Sequence, residues 1–264
     1  MYVSLFLEME IPKSLRTFFN EAGEIAAFTT GFFRELIRPK HEVREFIKQC
    51  YIIGYKSLPL IAITGFIMGL VLTMQLRPSL TSYGVEAELP VMVSLAVVRE
   101  IGPVITALIF AGKIGSSMGA ELGSMRVTEQ IDAMDVSGTN PFKFLVVTRV
   151  LAATLMLPIL VVLSDTISLY GTYIGVNIRG NTSSSLFFSQ VFHSLEYSDA
   201  LPATIKTFFF GFAVGIIGCY KGYYSKRGTE GVGRAANSAV VIASLAVFIL
   251  DLLAVQITDV LGIN

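Results

Sequence analysis

Arg99 and Glu100 stand side by side within an apolar run, ten residues after its start at Leu89. At about 1.5 Å per helical residue, that is about 15 Å into the run, near the middle of a hydrocarbon layer. A charge at that depth costs on the order of 2.5 to 3.5 kcal/mol on insertion scales, so it is kept for a purpose and needs a partner or a watery cavity. Adjacent helical residues point about 100° apart, so these two cannot simply pair with each other, and at least one must reach another segment. Asp165 and Lys206, both within later apolar runs, are candidate partners, and Asp251 poses the same question. Two readings stay open at this level: a polar patch that faces a substrate, and an interhelical ion pair. Pro103, one turn after Glu100, removes a backbone hydrogen bond and would bend the helix beside the patch.

The elements that carry these residues are membrane spans. The chain has 264 residues, 53% of them hydrophobic and only 15% charged, with a mean hydropathy of +0.66. A soluble domain has about a quarter of its residues charged, so this is an all-α integral membrane protein. Five runs have the roughly 20 apolar residues that a crossing requires: about 52–76, 89–112, 144–178, 201–220 and 238–261. The third is long and contains Pro158 and the polar patch Ser164, Asp165, Thr166; without a turn cluster it reads as one kinked or tilted helix.

Residues 1–51 form a separate, interfacial part preceding the membrane-spanning domain 52–264. Phe18, Phe19, Ile25, Phe32, Phe33 and Ile37 recur at helical spacing among charged residues, the pattern of an amphipathic helix with its Phe-rich side in the acyl boundary. Pro39 ends it, and a second amphipathic turn follows. Sixteen of the twenty Lys and Arg residues fall in residues 1–56 and in the segments 113–149 and 221–234. The positive-inside rule therefore predicts a cytoplasmic N-terminus and a C-terminus on the opposite side.

Other classes find little support. Twenty basic residues balance twenty acidic ones, so nothing points to nucleic acid. Cys50 and Cys219 are far apart, as are His41 and His193, so neither a disulfide framework nor a metal site is expected. No cleavable signal peptide is evident. Gly65 and Gly69, Gly115, Gly119 and Gly123, Gly171 and Gly175, and Gly211 and Gly215 have the spacing of close helix contacts. Five spans that must line a substrate path usually need a second copy, so a homodimer is expected.

After the second span, Ser124 to Asp135 reads SMRVTEQIDAMD, a short helix on the cytoplasmic side at about 125–136. Thr128 is its expected N-cap, Glu129 suits its first turn, and Ile131 and Met134 form an apolar edge. Spacing alone leaves a solvated connection and a docking element both open.

The run from Arg99 to Met134, REIGPVITALIFAGKIGSSMGAELGSMRVTEQIDAM, closely resembles the signature region of MlaE-type permeases. These are the membrane subunits of ABC transporters that move phospholipids with MCE-domain proteins. The resemblance covers most of the chain, and its core, ELGSMRVTEQIDA from Glu121 to Ala133, is highly specific. It implies a coupling element, comprising Arg126, Thr128, Glu129, Gln130, Ile131, Asp132 and Met134, that docks on a separate ATPase subunit. It also implies a lipid cavity between two permeases, with Arg99 meeting the headgroup, Glu100 and Pro103 beside it, and Arg77 at the outer end of the first span. ATP and Mg²⁺ would be bound by the partner, so no cofactor is expected in this chain; an MCE protein outside and a small cytoplasmic accessory subunit complete the implied assembly, in the inner membrane of a diderm bacterium. Relatives often carry Arg where this chain has Lys113, which would turn a bidentate phosphate contact into a point-charge contact.

In keeping with that division of labour, no Walker A sequence occurs: Gly112-Lys113 is followed by Ile114. Gly228-Thr-Glu-Gly-Val-Gly233 precedes the fifth span and reads as a flexible loop. Two other readings are a proton-coupled secondary transporter using Glu100, Asp165 and Asp251, and a membrane scaffold that transports nothing.

Overall fold

The computed structural model describes residues 13–39, 42–226 and 228–262, with 13–19 described by backbone alone. Residues 1–12 of the predicted interfacial part, together with Lys40 and His41, lie outside them. All of the regular structure among the described residues is helical. In chain order the helices are α1 (Lys13–Ile37), α2 (Val43–Ile53), α3 (Leu58–Ser82), α4 (Glu86–Val127), α5 (Gln130–Val136), α6 (Phe142–Asn177), α7 (Ser184–Ser194), α8 (Tyr197–Tyr223) and α9 (Thr229–Val260). Five helical stretches, α2 with α3, then α4, α6, α8 and α9, are long and apolar enough to cross a membrane.

These helices run well past the apolar runs that reveal them. Helix α9 starts at Thr229, so the glycine-containing stretch before the fifth apolar run is helical from that residue on. Helix α6 runs unbroken through Pro158, because neighbouring helices and local adjustment can absorb one missing bond in a membrane helix. Helix α7 had no counterpart in the hydropathy pattern. It is capped by the Ser183 hydroxyl, which accepts from Leu186 N at 3.3 Å, and it buries Phe187 and Val191 against Leu89, Val93 and Leu169.

Helix α6 is the centre of the bundle, packed by α3 on one side and α8 on the other. Small residues permit both approaches. A Cβ at Gly69 would overlap the Ser168 carbonyl, one at Gly171 would overlap that of Phe66, and one at Gly211 would meet Ala153 O at 2.6 Å. Backbones this close gain dispersion and weak polar contacts that lipid tails cannot supply. Around these seams the apolar core gathers Phe110, Leu157, Val150, Val214 and Phe210.

Helix α1 deviates from the expectation of a helix whose Phe side lies wholly in lipid. Phe28 and Phe32 are buried against the bundle, near Phe142, Phe212 and Tyr220, while Phe33 and Ile37 stay exposed. Polar contacts fix the same seating: Glu24 accepts from the Tyr220 hydroxyl, Glu21 pairs with Lys221, and Asn140 Nδ2 donates to Glu35 at 2.9 Å. Aromatic rings offered to α6 and α8 remove more apolar area from the interface than lipid contact alone would.

Candidate functional site

Helix α4 is not a regular α-helix. Two π-helical turns, Val97–Ile101 and Ala111–Gly115, flank the α-helical stretch Gly102–Phe110. Pro103 has no N–H to donate, and just before it the Gly102 amide donates back to the Val97 carbonyl, five residues away. Arg99 and Glu100 both lie in that first π turn, and they leave it in different directions.

Arg99 reaches α8. Its Nε donates to Asp199 Oδ1 at 2.8 Å and its Nη2 lies 2.5 Å from the same oxygen. Asp199 is itself fixed, because its Oδ2 accepts the Glu196 amide at 2.9 Å in a capping box that begins α8. Glu100 pairs with Lys206, Nζ to Oε2 2.5 Å, and Lys206 also pairs with Asp251 of α9 at 2.9 Å. Five ionisable groups thus tie α4, α8 and α9 together, and they include both residues singled out from the sequence. Sequence reasoning named Lys206 and Asp251 but missed Asp199, which reads locally as a helix-start residue. The capping pattern, with Glu196 three residues before Asp199, was the available signal.

Burial within the cluster is uneven in an instructive way. The side chains of Asp199 and Lys206 are 3% and 6% exposed, whereas those of Arg99 and Glu100 are 45% and 46% exposed. The buried members hold, and the open members present an arginine and a carboxylate to a cleft also lined by Ser198, Pro202, Ala254 and Thr258. All of this lies in the half of α4 nearest Glu86, because the helix extends so far beyond Gly112. It is the end of the bundle where α8 starts and α9 stops.

Two residues assigned to the same cavity are elsewhere. Arg77 is buried between α3 and α6, where Nη2 donates to Val176 O at 2.6 Å and Nε faces Glu86 at 3.4 Å. It does not line the Arg99 cleft. Pro103 lines a neighbouring cleft together with Asp165. Asp165 does not pair with Arg99; it packs so closely on Gly102 that a Cβ there would overlap its Oδ1.

At the far end of α4, the predicted coupling residues are reorganised. Arg126 and Val127 are the last residues of α4, and Thr128 closes that helix instead of capping the next: its hydroxyl donates to Ser124 O at 2.9 Å. Glu129 turns the corner with φ of 58°, and α5 begins only at Gln130. A left-handed corner redirects the chain in one residue, which a continuous helix over 125–136 could not do. Ile131 is 2% exposed and anchors α5 to the core, with Met134 half-buried beside it. Gln130 Nε2 donates to Thr128 Oγ1 at 3.0 Å, and Arg126 pairs with Asp132 at 2.5 Å. Gln130, Asp132, Asp135 and Val136 face outward. Gly138, with φ of 81°, ends the helix, and the Thr139 amide donates to Met134 O at 3.0 Å.

A five-helix membrane bundle with paired charges inside one end and a short exposed helix at the other is the arrangement against which known proteins can be compared. The family model for Permease MlaE matches residues 46–257. The chain belongs to the MlaE permease family. A probable ABC transporter permease protein of Rickettsia felis is 38% identical over 240 residues, 91% of this chain and 93% of that protein. One from Pyropia yezoensis is 38% identical over 223 residues, 83% and 85% of the two chains. The intermembrane phospholipid transport system permease protein MlaE of Haemophilus influenzae is 36% identical over 207 residues, 78% of this chain and 79% of that one. This MlaE-family chain is thus a multi-pass membrane permease.

Proposed function

We propose that the chain is the permease subunit of an ABC-type phospholipid transporter in the inner membrane of a diderm bacterium. It would pass lipids between that membrane and an MCE-domain protein, driven by ATP hydrolysis in a separate subunit. The observation that carries this reading is the half-exposed Arg99, held on the buried Asp199 beside a cleft inside an otherwise apolar bundle. A guanidinium so fixed keeps donors free for a lipid phosphate, for which its planar fork is well suited. Glu100, pinned by Lys206, keeps the cleft polar and limits the headgroups it accepts.

The assembly follows from exposed surfaces. Helix α9 leaves Val241, Leu245, Phe248 and Ile249 uncovered, and a second copy packed there would close the Arg99 cleft into a shared cavity. Helix α5, with Asp132 and Gln130 outward, would dock on the ATPase, which binds ATP and Mg²⁺. A small accessory subunit would join on the same cytoplasmic side. The charge distribution puts the N-terminus and α5 in the cytoplasm and the C-terminus in the periplasm, with α1 along the interface. Arg77, at the periplasmic end, would steady the route toward the MCE partner. The test is lipid transfer between vesicles by the reconstituted permease, ATPase and MCE protein. Transfer that requires ATP and falls about tenfold or more with Arg99→Ala is expected, since a charge-assisted bond is worth that factor. Undiminished transfer at normal protein yield would remove Arg99 from the substrate path.

A further inference from the structure

Asp165 stands apart from the other carboxylates of the bundle. Glu100 and Asp251 share Lys206, and Asp199 holds Arg99, but Asp165 Oδ1 is shut away from solvent with no hydrogen-bond partner among the described residues. Gly102 lies so close to it that an added Cβ would overlap Oδ1. Asp165 also lines a separate cleft between α4, α6 and α8, which shares the lining residue Ala203 with the Arg99 cleft.

The lining of this cleft selects a ligand by what it lacks. Its side chains include Val98, Pro103, Val162, Ala203 and the two threonines Thr166 and Thr204. Both hydroxyl protons are spent on their own helices: Thr166 Oγ1 donates to Val162 O and Thr204 Oγ1 to Ala200 O, each at 2.8 Å. What is left to offer is lone pairs and the Asp165 carboxyl, a set dominated by acceptors that suits a cation with several N–H donors better than an anion. Beside the cleft, Ile159 of α6 and Leu201 and Ile205 of α8 are about half exposed or more, an apolar surface that suits acyl chains. The neighbouring cluster adds a reason of charge, since Arg99 and Lys206 face three carboxylates there before Asp165 is counted.

We infer that the Asp165 cleft is a lateral lipid subsite that binds the ammonium headgroup of a zwitterionic phospholipid of the ethanolamine type. This deepens the proposed function and rests on its phospholipid reading, because it adds a headgroup preference that Arg99, acting on the phosphate common to all phospholipids, does not supply. The subsite pays the desolvation of an unpaired carboxylate only when the ammonium arrives.

The experiment is native mass spectrometry of the permease extracted in nanodiscs made from equal parts of phosphatidylethanolamine and phosphatidylglycerol. The wild-type chain is expected to retain the ethanolamine lipid in excess, and Asp165→Asn, which keeps the shape and removes the charge, to lower the ratio of ethanolamine to glycerol lipid by about tenfold, the worth of one charge-assisted bond. An unchanged ratio in Asp165→Asn, or no preference in the wild type while phospholipid is still retained, overturns the subsite and leaves the permease reading standing. No retained phospholipid at all overturns both. Should Asp165→Asn fail to fold, the wild-type protein decides: dicyclohexylcarbodiimide should modify Asp165 more slowly in vesicles of phosphatidylethanolamine than in vesicles of phosphatidylglycerol, and equal rates overturn the subsite.

Discussion

Arg99 and Glu100, at the open side of the polar cluster, and helix α5 come from one continuous stretch of sequence, and the cluster and the helix are built in opposite ways. In the cluster, charges are bound to charges from three helices, and the buried members, Asp199 and Lys206, fix the geometry of the exposed ones. In α5 a single buried side chain, Ile131, holds seven residues whose polar groups face outward. The first arrangement is costly to disturb from within, because removing one ion strands another inside the bundle. The second is cheap to form and easy to move, since it depends on one apolar anchor and a one-residue corner at Glu129. On the proposed function, the first would be a rigid polar seat for cargo and the second a handle on which another subunit pulls.

The sharpest way to break the contrast is at Lys206. Lys206→Met leaves Glu100 and Asp251 facing each other without a cation and is expected to lower stability by about 3 kcal/mol, the low end for a broken buried pair because Glu100 is half open. Thermal unfolding of the purified protein measures this, and a melting point equal to the wild type would show that the cluster does not hold the helices. Ile131→Ala should cost α5 its anchor, at about 2 kcal/mol or more of local packing. Its expected signature is faster backbone hydrogen exchange confined to Gln130–Val136, and protection lost evenly along the chain would contradict a lone anchor. Replacing Glu129 and Asp132 together by Ala should cut ATPase stimulation severalfold in the assembled complex while lipid retention stays intact; full stimulation would count against α5 as the handle. The smallest effect is expected at Arg77, where Arg77→Met loses one bond to Val176 O and a long contact to Glu86, about 1 to 2 kcal/mol. Lipid transfer measured beside the melting point separates anchoring from guidance: transfer falling much more than stability would give Arg77 a part in the lipid route.

How much of this was legible in the sequence depended on how far each feature departs from what a membrane tolerates. Five spans could be counted because hydrocarbon thickness dictates run length, and Arg99, Glu100, Lys206 and Asp251 stood out because charge is rare inside such runs. The length of the helices was hidden, since polar turns such as Thr229–Gly233 continue a helix beyond the hydrocarbon without any apolar signal. Asp199 was hidden for a different reason: a carboxylate near the start of a helix is already explained by capping, so its second oxygen, which holds Arg99, left no trace. Thr128 suited the role of N-cap equally well, but the chain spends its hydroxyl on closing α4, and nothing local foretells that Glu129 takes up a left-handed backbone. Helix α7 escaped because its two buried residues, Phe187 and Val191, make too short a pattern to stand out among serines.

The π turn at Val97–Ile101 has one more consequence. A π turn is equivalent to one extra residue threaded into an α-helix, so α4 carries a phase slip: the face that Leu89 and Val93 turn toward α7 is not continuous with the face that Thr106 and Phe110 bury farther along. Removing any one residue between Val97 and Ile101 would erase that slip and swing the Leu89–Ala96 segment by about 100° relative to the rest of the helix. The register of α4, as much as the charges it bears, therefore decides which helices Arg99 and Glu100 can reach.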